Sequence, residues 1–174
     1  HCAKAEGSEN IKKGNKMKVN RTKEGTMFEI VCGVLILVMW IVAFVLYKNS
    51  PDIVPTHFNA AGNVDATGDK ITIIVMAIVG TFVTMFALLA AYKPDKAINI
   101  PFTVSKTAQY IKMIRMVRVI AVEIAVLFIV VILMIGEKFN HVWLLYSIVG
   151  IVLLTTIVYC VKIYRLKDVE GPEA

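Results

Sequence analysis

The chain is poor in the residues that chemistry most often needs. Three cysteines stand in 174 residues: Cys2 in a polar tail, and Cys32 and Cys160 inside apolar runs. They imply no disulfide framework, and no CxxC pair is present. The sequence also lacks a nucleophile elbow, a glycine-rich phosphate loop and a metalloprotease helix, and its scattered Ser and Thr carry no triad logic. These absences remove the common enzyme classes, so the chain reads as non-enzymatic, with no cofactor. Charge is scarce as well: 18% of residues are charged and 57% are hydrophobic, against about 45–50% apolar in soluble domains.

What is present is apolar residue gathered into blocks. Ile30 to Tyr47 runs for eighteen residues without a charge, long enough for the roughly 30 Å hydrocarbon core. Further runs cover about 71–92, 119–136 and 142–161. The expected fold is therefore all-α: an integral membrane four-helix bundle over residues 27–164, between a disordered basic tail (1–26) and a short tail (165–174). Met17 is read as the initiator, with residues 1–16 upstream of it. In the second run Gly80, Thr84, Ala87 and Ala91 form a small-residue stripe that lets another helix approach closely. In the segment between the second and third runs, Ser105 is placed to start a helix that carries Lys112, Arg115 and Arg118 into the bilayer.

The net charge of +6 sits beside these runs, which points to lipid head groups and topology; nucleic acid is not implied. Of the 19 Lys and Arg, 16 lie in the two tails and the connection that ends at Arg118. Only Lys48, Lys70 and Lys138 lie on the other side. The positive-inside rule then places both termini in the cytoplasm and the first connection outside.

That first connection is the polar island of the chain. Between Pro55 and Lys70 it holds His57, Phe58, Asn59, Gly62, Asn63, Asp65, Gly68 and Asp69. Gly62 and Gly68 permit positive φ, Asn59, Asn63 and Asp65 favour turns through side-chain bonds, and Pro51 and Pro55 fix φ on entry. The expectation is an ordered extracytoplasmic loop packed over the helix ends, with Asp69 capping the second helix. Long connections with turn chemistry are usually functional or disordered.

His57, Asn59, Gly62, Asp65, Gly68 and Lys70, preceded by Pro55 and placed after a first apolar helix, resemble a motif of bacterial membrane proteins of unknown function. These are the DUF1648-type proteins, related to the SdpI-type toxin-immunity protein. The segment Asn99 to Ser105, followed by Gln109, Tyr110 and Arg115, is similar to the lead-in to the third span of the family's short members. The immunity proteins also carry a membrane region with a glycine-tyrosine-arginine-threonine signature, and this chain has none. The resemblance implies a bacterial inner-membrane protein with a role in envelope protection, toxin immunity or signalling. A peptide toxin or another membrane protein would then be the partner, beside the lipid bilayer itself and a second copy of the chain.

Other residues admit two readings each. Asn63, Asp65, Thr67 and Asp69 place oxygens at alternating positions, as a hard-cation loop would, but the central glycine and terminal glutamate of an EF-hand are missing. The structural reading is that Asp65 and Asn59 bond loop amides; no metal is assigned. A His57–His141 pair on the outer side is a further possibility. Glu123 lies inside the third run, where a carboxylate is expensive. It either reaches Lys162 at the inner end of the fourth run or serves as a coupling carboxylate in a small proton-coupled transporter. Trp143 and Tyr146 read as an interfacial aromatic belt. Recognition at the island, transport through Glu123 and service as an accessory subunit of a membrane complex all fit the pattern.

Overall fold

The computed structural model describes residues 22–94, 104, 107–137 and 142–166. Among the described residues there are four long helices and one hairpin: α1 (Lys23–Asn49), β1 (Ile53–Phe58), β2 (Val64–Asp69), α2 (Ile71–Ala90), α3 (Thr107–Ile135) and α4 (Val142–Arg165). All four helices are long and apolar enough to cross a membrane, and the protein is a multi-pass membrane protein. Large apolar side chains such as Leu37, Phe44, Phe82, Phe86, Leu153 and Ile157 stand outward on them, as lipid-facing positions do. Only helices and closed barrels satisfy every backbone group within hydrocarbon, which is why these apolar runs are helical throughout.

Two helix starts differ from the sequence reading. α1 begins at Lys23, so the last residues assigned to the disordered 1–26 tail are helical. Thr22 caps it, its hydroxyl accepting from the Gly25 amide at 3.0 Å, and Glu24 in the first turn suits the positive end of the helix dipole. α3 begins twelve residues ahead of the apolar run at 119–136 and includes Lys112, Arg115 and Arg118, as the extension from Ser105 anticipates. Ser105 itself, most of the 99–105 segment and the C-terminal tail beyond residue 166 lie outside the described residues.

The helices run up and down, and contacts along their lengths show it. Gly136 near the end of α3 meets Leu46 near the end of α1, Gly80 in mid-α2 meets Phe128 and Met39, and Gly25 at the start of α1 meets Arg118. α3 is the hub, packing against each of the other three helices and against β1. Met39, Ala43 and Leu46 of α1, Ile73 and Ala77 of α2, and Ile132 and Ile135 of α3 form one buried cluster with Val54 of the hairpin. A second cluster, at the other end, joins Ala91 to Tyr110, Met113, Ile114, Met116 and Val117 of α3 and Ile163 of α4.

The small-residue stripe of α2 is spent inside the chain. Gly80, Thr84 and Ala91 are buried, while Ala87 is half-exposed. A Cβ on Gly80 would lie 2.7 Å from the Phe128 ring and 2.9 Å from the Met39 sulfur. Close approach of this kind supplies the dispersion that replaces the hydrophobic drive within lipid. One polar chain links two spans in the same economical way: the Trp40 indole donates to the Thr81 hydroxyl at 3.0 Å, which in turn donates to the Ala77 carbonyl at 2.8 Å. α4 is different, with only Val142 and Ile163 buried. It leans on α3 and meets the hairpin at its first turns, while side chains such as Leu153, Leu154 and Ile157 stand outward.

Candidate functional site

The polar island is a two-stranded antiparallel hairpin, β1 against β2, with Ile53 opposite Asp69 and Phe58 opposite Val64. Turn chemistry alone predicts an ordered loop, and the ladder was not legible in it: β2 reads Val64-Asp65-Ala66-Thr67-Gly68-Asp69, without strong strand formers after Val64. The register slips between Pro55 and His57 and again before Phe58. A proline cannot donate to a ladder, so an irregularity beside Pro55 is the expected place for one.

Asn59 builds the turn. Its side-chain oxygen accepts from the Ala61 and Asn63 amides, both at 3.0 Å, and its carbonyl accepts from the Gly62 amide at 2.9 Å. Gly62 has φ +86°, a conformation natural for glycine and strained for other residues. Gly68 has no positive φ among the described residues, which corrects the expectation for it. Its reason for being glycine is room: a Cβ there would lie 3.0 Å from the Thr56 methyl.

The hairpin is anchored at three levels. Val54 is buried among α1, α2 and α3. Phe58 packs on the cluster of Val130 and Met134 of α3 and Val142 of α4, against which Leu145 and Ile148 of α4 also pack. At the tip, a Cβ on Gly62 would lie 2.9 Å from the Val142 side chain, and the Tyr146 hydroxyl donates to the Ala60 carbonyl at 3.1 Å. Tyr146 keeps an edge contact with Trp143 at 6.0 Å between centroids, so one member of the aromatic pair holds the hairpin. The sequence carried no signal for that second task.

Its base closes through Lys70, whose ammonium lies 2.8 Å from the Asp52 carboxylate and 5.5 Å from the centre of the Tyr47 ring. The Lys70 amide donates to the Asp52 carbonyl at 2.9 Å. The hydrogen bond from Lys70 holds the Asp52 carboxyl below its usual range, and Asp52 in turn raises the Lys70 ammonium. Asp69 accepts from the Ile71 amide at 2.7 Å, the capping role expected of it, acting one residue ahead of the cap position.

What remains outward is a polar rim. His57 Nδ1 lies 2.5 Å from Asp65 Oδ1, and both side chains are exposed. Asn63, Val64, Ala66 and Thr67 are exposed beside them. Asp65 therefore pairs with His57 across the strands and does not serve loop amides as expected. The four oxygen-bearing residues of the cation reading are dispersed, Asp65 to His57 and Asp69 to the start of α2. Among the described residues no three of His, Cys, Asp and Glu converge as metal ligands. His141, the other half of the His57–His141 pair, lies outside the described residues.

Glu123 sits away from this rim, on α3 facing α4. The Thr155 hydroxyl donates to its Oε1 at 2.6 Å, while its Oε2 is buried with no hydrogen-bond partner. The partner does come from another helix, but it is Thr155 and not Lys162, whose ammonium lies over the Tyr159 ring at 5.6 Å. At the end opposite the hairpin, Glu24 takes two hydrogen bonds from Arg115, each at 2.5 Å, and the Tyr92 hydroxyl donates to Glu29. Gln109 donates to the Ile163 carbonyl at 3.1 Å.

Comparison with known proteins adds one finding. Residues 34–81 match a domain described as a domain of unknown function, DUF1648; the matched stretch holds most of α1, the whole hairpin and the first half of α2. No curated protein and no solved structure matches the chain.

Proposed function

We propose that this DUF1648-bearing membrane protein is a non-enzymatic recognition protein whose outward hairpin binds a peptide or the exposed part of another membrane protein. The observation that supports this is the contrast within the hairpin: its backbone and inner face are fastened to all four helices, while the rim of His57, Asn63, Val64, Asp65 and Thr67 is left exposed. A rigid element with an open polar rim binds without losing much conformational freedom. The charge distribution favours the extracytoplasmic side of a bacterial inner membrane for that rim, and envelope protection or signalling is the role that fits it. The test is photo-crosslinking in native membranes from a benzoylphenylalanine at Val64, with one at lipid-facing Phe82 as reference. A discrete protein adduct from Val64 alone, lost on His57→Ala with Asp65→Ala, is expected; identical patterns from the two positions would remove the reading.

A second reading rests on Glu123, because its buried and unpartnered Oε2 lies within a span, where ionisable groups commonly mark a transport path. In that reading the chain is a small proton-coupled transporter. Uptake driven by a pH gradient into vesicles, lost in Glu123→Gln at unchanged abundance, would replace the recognition role.

A further inference from the structure

Among the described residues, the end of the bundle opposite the hairpin carries more basic than acidic side chains. Lys112, Arg115 and Arg118 stand three residues apart along one face of α3 and look toward the first turn of α1. All three lie within electrostatic reach of the Glu24 carboxylate, yet both Glu24 oxygens bond to Arg115. Neither Lys112 nor Arg118 has a carboxylate of its own among the described residues. Arg118 is only 5% exposed, and its Nη2 is buried with no hydrogen-bond partner. Its guanidinium lies against the bare backbone of Gly25, where a Cβ would come within 2.5 Å of Nη2 and 2.8 Å of Cζ.

A guanidinium buried with one nitrogen unbonded and no carboxylate of its own is a costly arrangement unless an anion completes it. The start of α1 makes the need greater, because a helix N-terminus adds positive potential. We propose that the junction of the first turn of α1 with the Lys112–Arg115–Arg118 face of α3 opens to take a phosphate, with Arg118 as its deepest ligand. The planar guanidinium fork matches phosphate oxygens, Lys112 supplies a point charge at the rim, and Gly25 keeps the floor clear for the guanidinium. The phosphate belongs either to an anionic lipid head group, which the bilayer offers at the ends of the spans, or to free phosphate in the adjoining water.

Thermal melting of the purified full chain in phosphate-free maltoside detergent tests this. Phosphatidylglycerol, phosphatidylcholine and sodium phosphate are titrated separately at fixed ionic strength, with sodium chloride as reference. A saturable rise in Tm with phosphatidylglycerol assigns the site to a lipid, and one with sodium phosphate assigns it to the free ion; both support the site. In Arg118→Gln the midpoint of that rise should move to roughly tenfold higher concentration or more, with Arg118→Lys in between. No saturable rise with any probe, or an unchanged midpoint in a folded Arg118→Gln, overturns the proposal. Should Arg118→Gln fail to fold, Lys112→Gln at the rim decides: a weakened midpoint supports the site and an unchanged one overturns it.

Discussion

At the hairpin end, the contacts that close the bundle are mostly short in sequence or apolar, the bond from Tyr146 to the Ala60 carbonyl being the long-range polar exception. Asn59 serves its own turn, Lys70 meets Asp52, and Val54 and Phe58 reach into the helices as ordinary side chains. At the opposite end the closing contacts are long side chains from distant helices: Glu24 and Arg115 are 91 residues apart, and Glu29 and Tyr92 are 63 apart. Polar partners at the hairpin end lie on the hairpin itself or at its base, with the Asn59 turn fixed by local backbone geometry. Those at the far end join side chains of different helices, the Glu24–Arg115 ion pair foremost, and Arg118 keeps a buried Nη2 without a hydrogen-bond partner. Stability at the first end should therefore respond to backbone and packing changes, and at the second to charge and salt.

The largest effect should come from Gly62→Val. It forces a β-branched residue to φ +86° and drives its side chain into Val142. Backbone strain of about 1–3 kcal/mol adds to overpacking of about 1–3 kcal/mol, so detergent melting should show a strongly lowered Tm. Asn59→Ala is the next step down. It removes the one side-chain acceptor of two backbone amides at an exposed turn, the two bonds worth about 1–2 kcal/mol together, and no change of salt should restore it.

Arg115→Gln at the other end should lower stability by about 1 kcal/mol or less, because the Glu24 and Arg115 side chains are 35% and 41% exposed and solvent screens the pair. Its loss should shrink in high salt, whereas the Asn59→Ala loss should not. Equal salt sensitivity of the two would break the comparison. The smallest effect belongs to Asp52 and Lys70. The Asp52 carboxyl is depressed, so its contribution is present above about pH 4 and lost as pH falls through its folded value. The Lys70 ammonium is raised, so its contribution is complete below about pH 10 and lost above its folded value. The Tm difference between the parent and Asp52→Asn should therefore hold from about pH 5 to 9 and close in acid.

The helices were legible in the sequence because eighteen-residue apolar runs have one stable form in lipid. The turn was legible at Asn59 and Gly62, since both act through local backbone. Gly68 was not, because room beside Thr56 is a property of the strand pairing. Tyr146 and the Glu24–Arg115 pair were hidden for the same reason: each joins elements that only the fold brings together. Glu123 announced itself as an acid in an apolar run, but its partner, Thr155, is an unremarkable threonine until α3 and α4 are packed.

The central claim is that the anchored hairpin faces outward and the cationic end faces the cytoplasm. Single cysteines at Asn63 and at Lys93, each in a background lacking Cys2, Cys32 and Cys160, test it in intact cells with a membrane-impermeant maleimide. Cysteine at Asn63 should label before lysis and cysteine at Lys93 only after it. Labelling of Lys93→Cys in intact cells, with Asn63→Cys protected, would contradict the account.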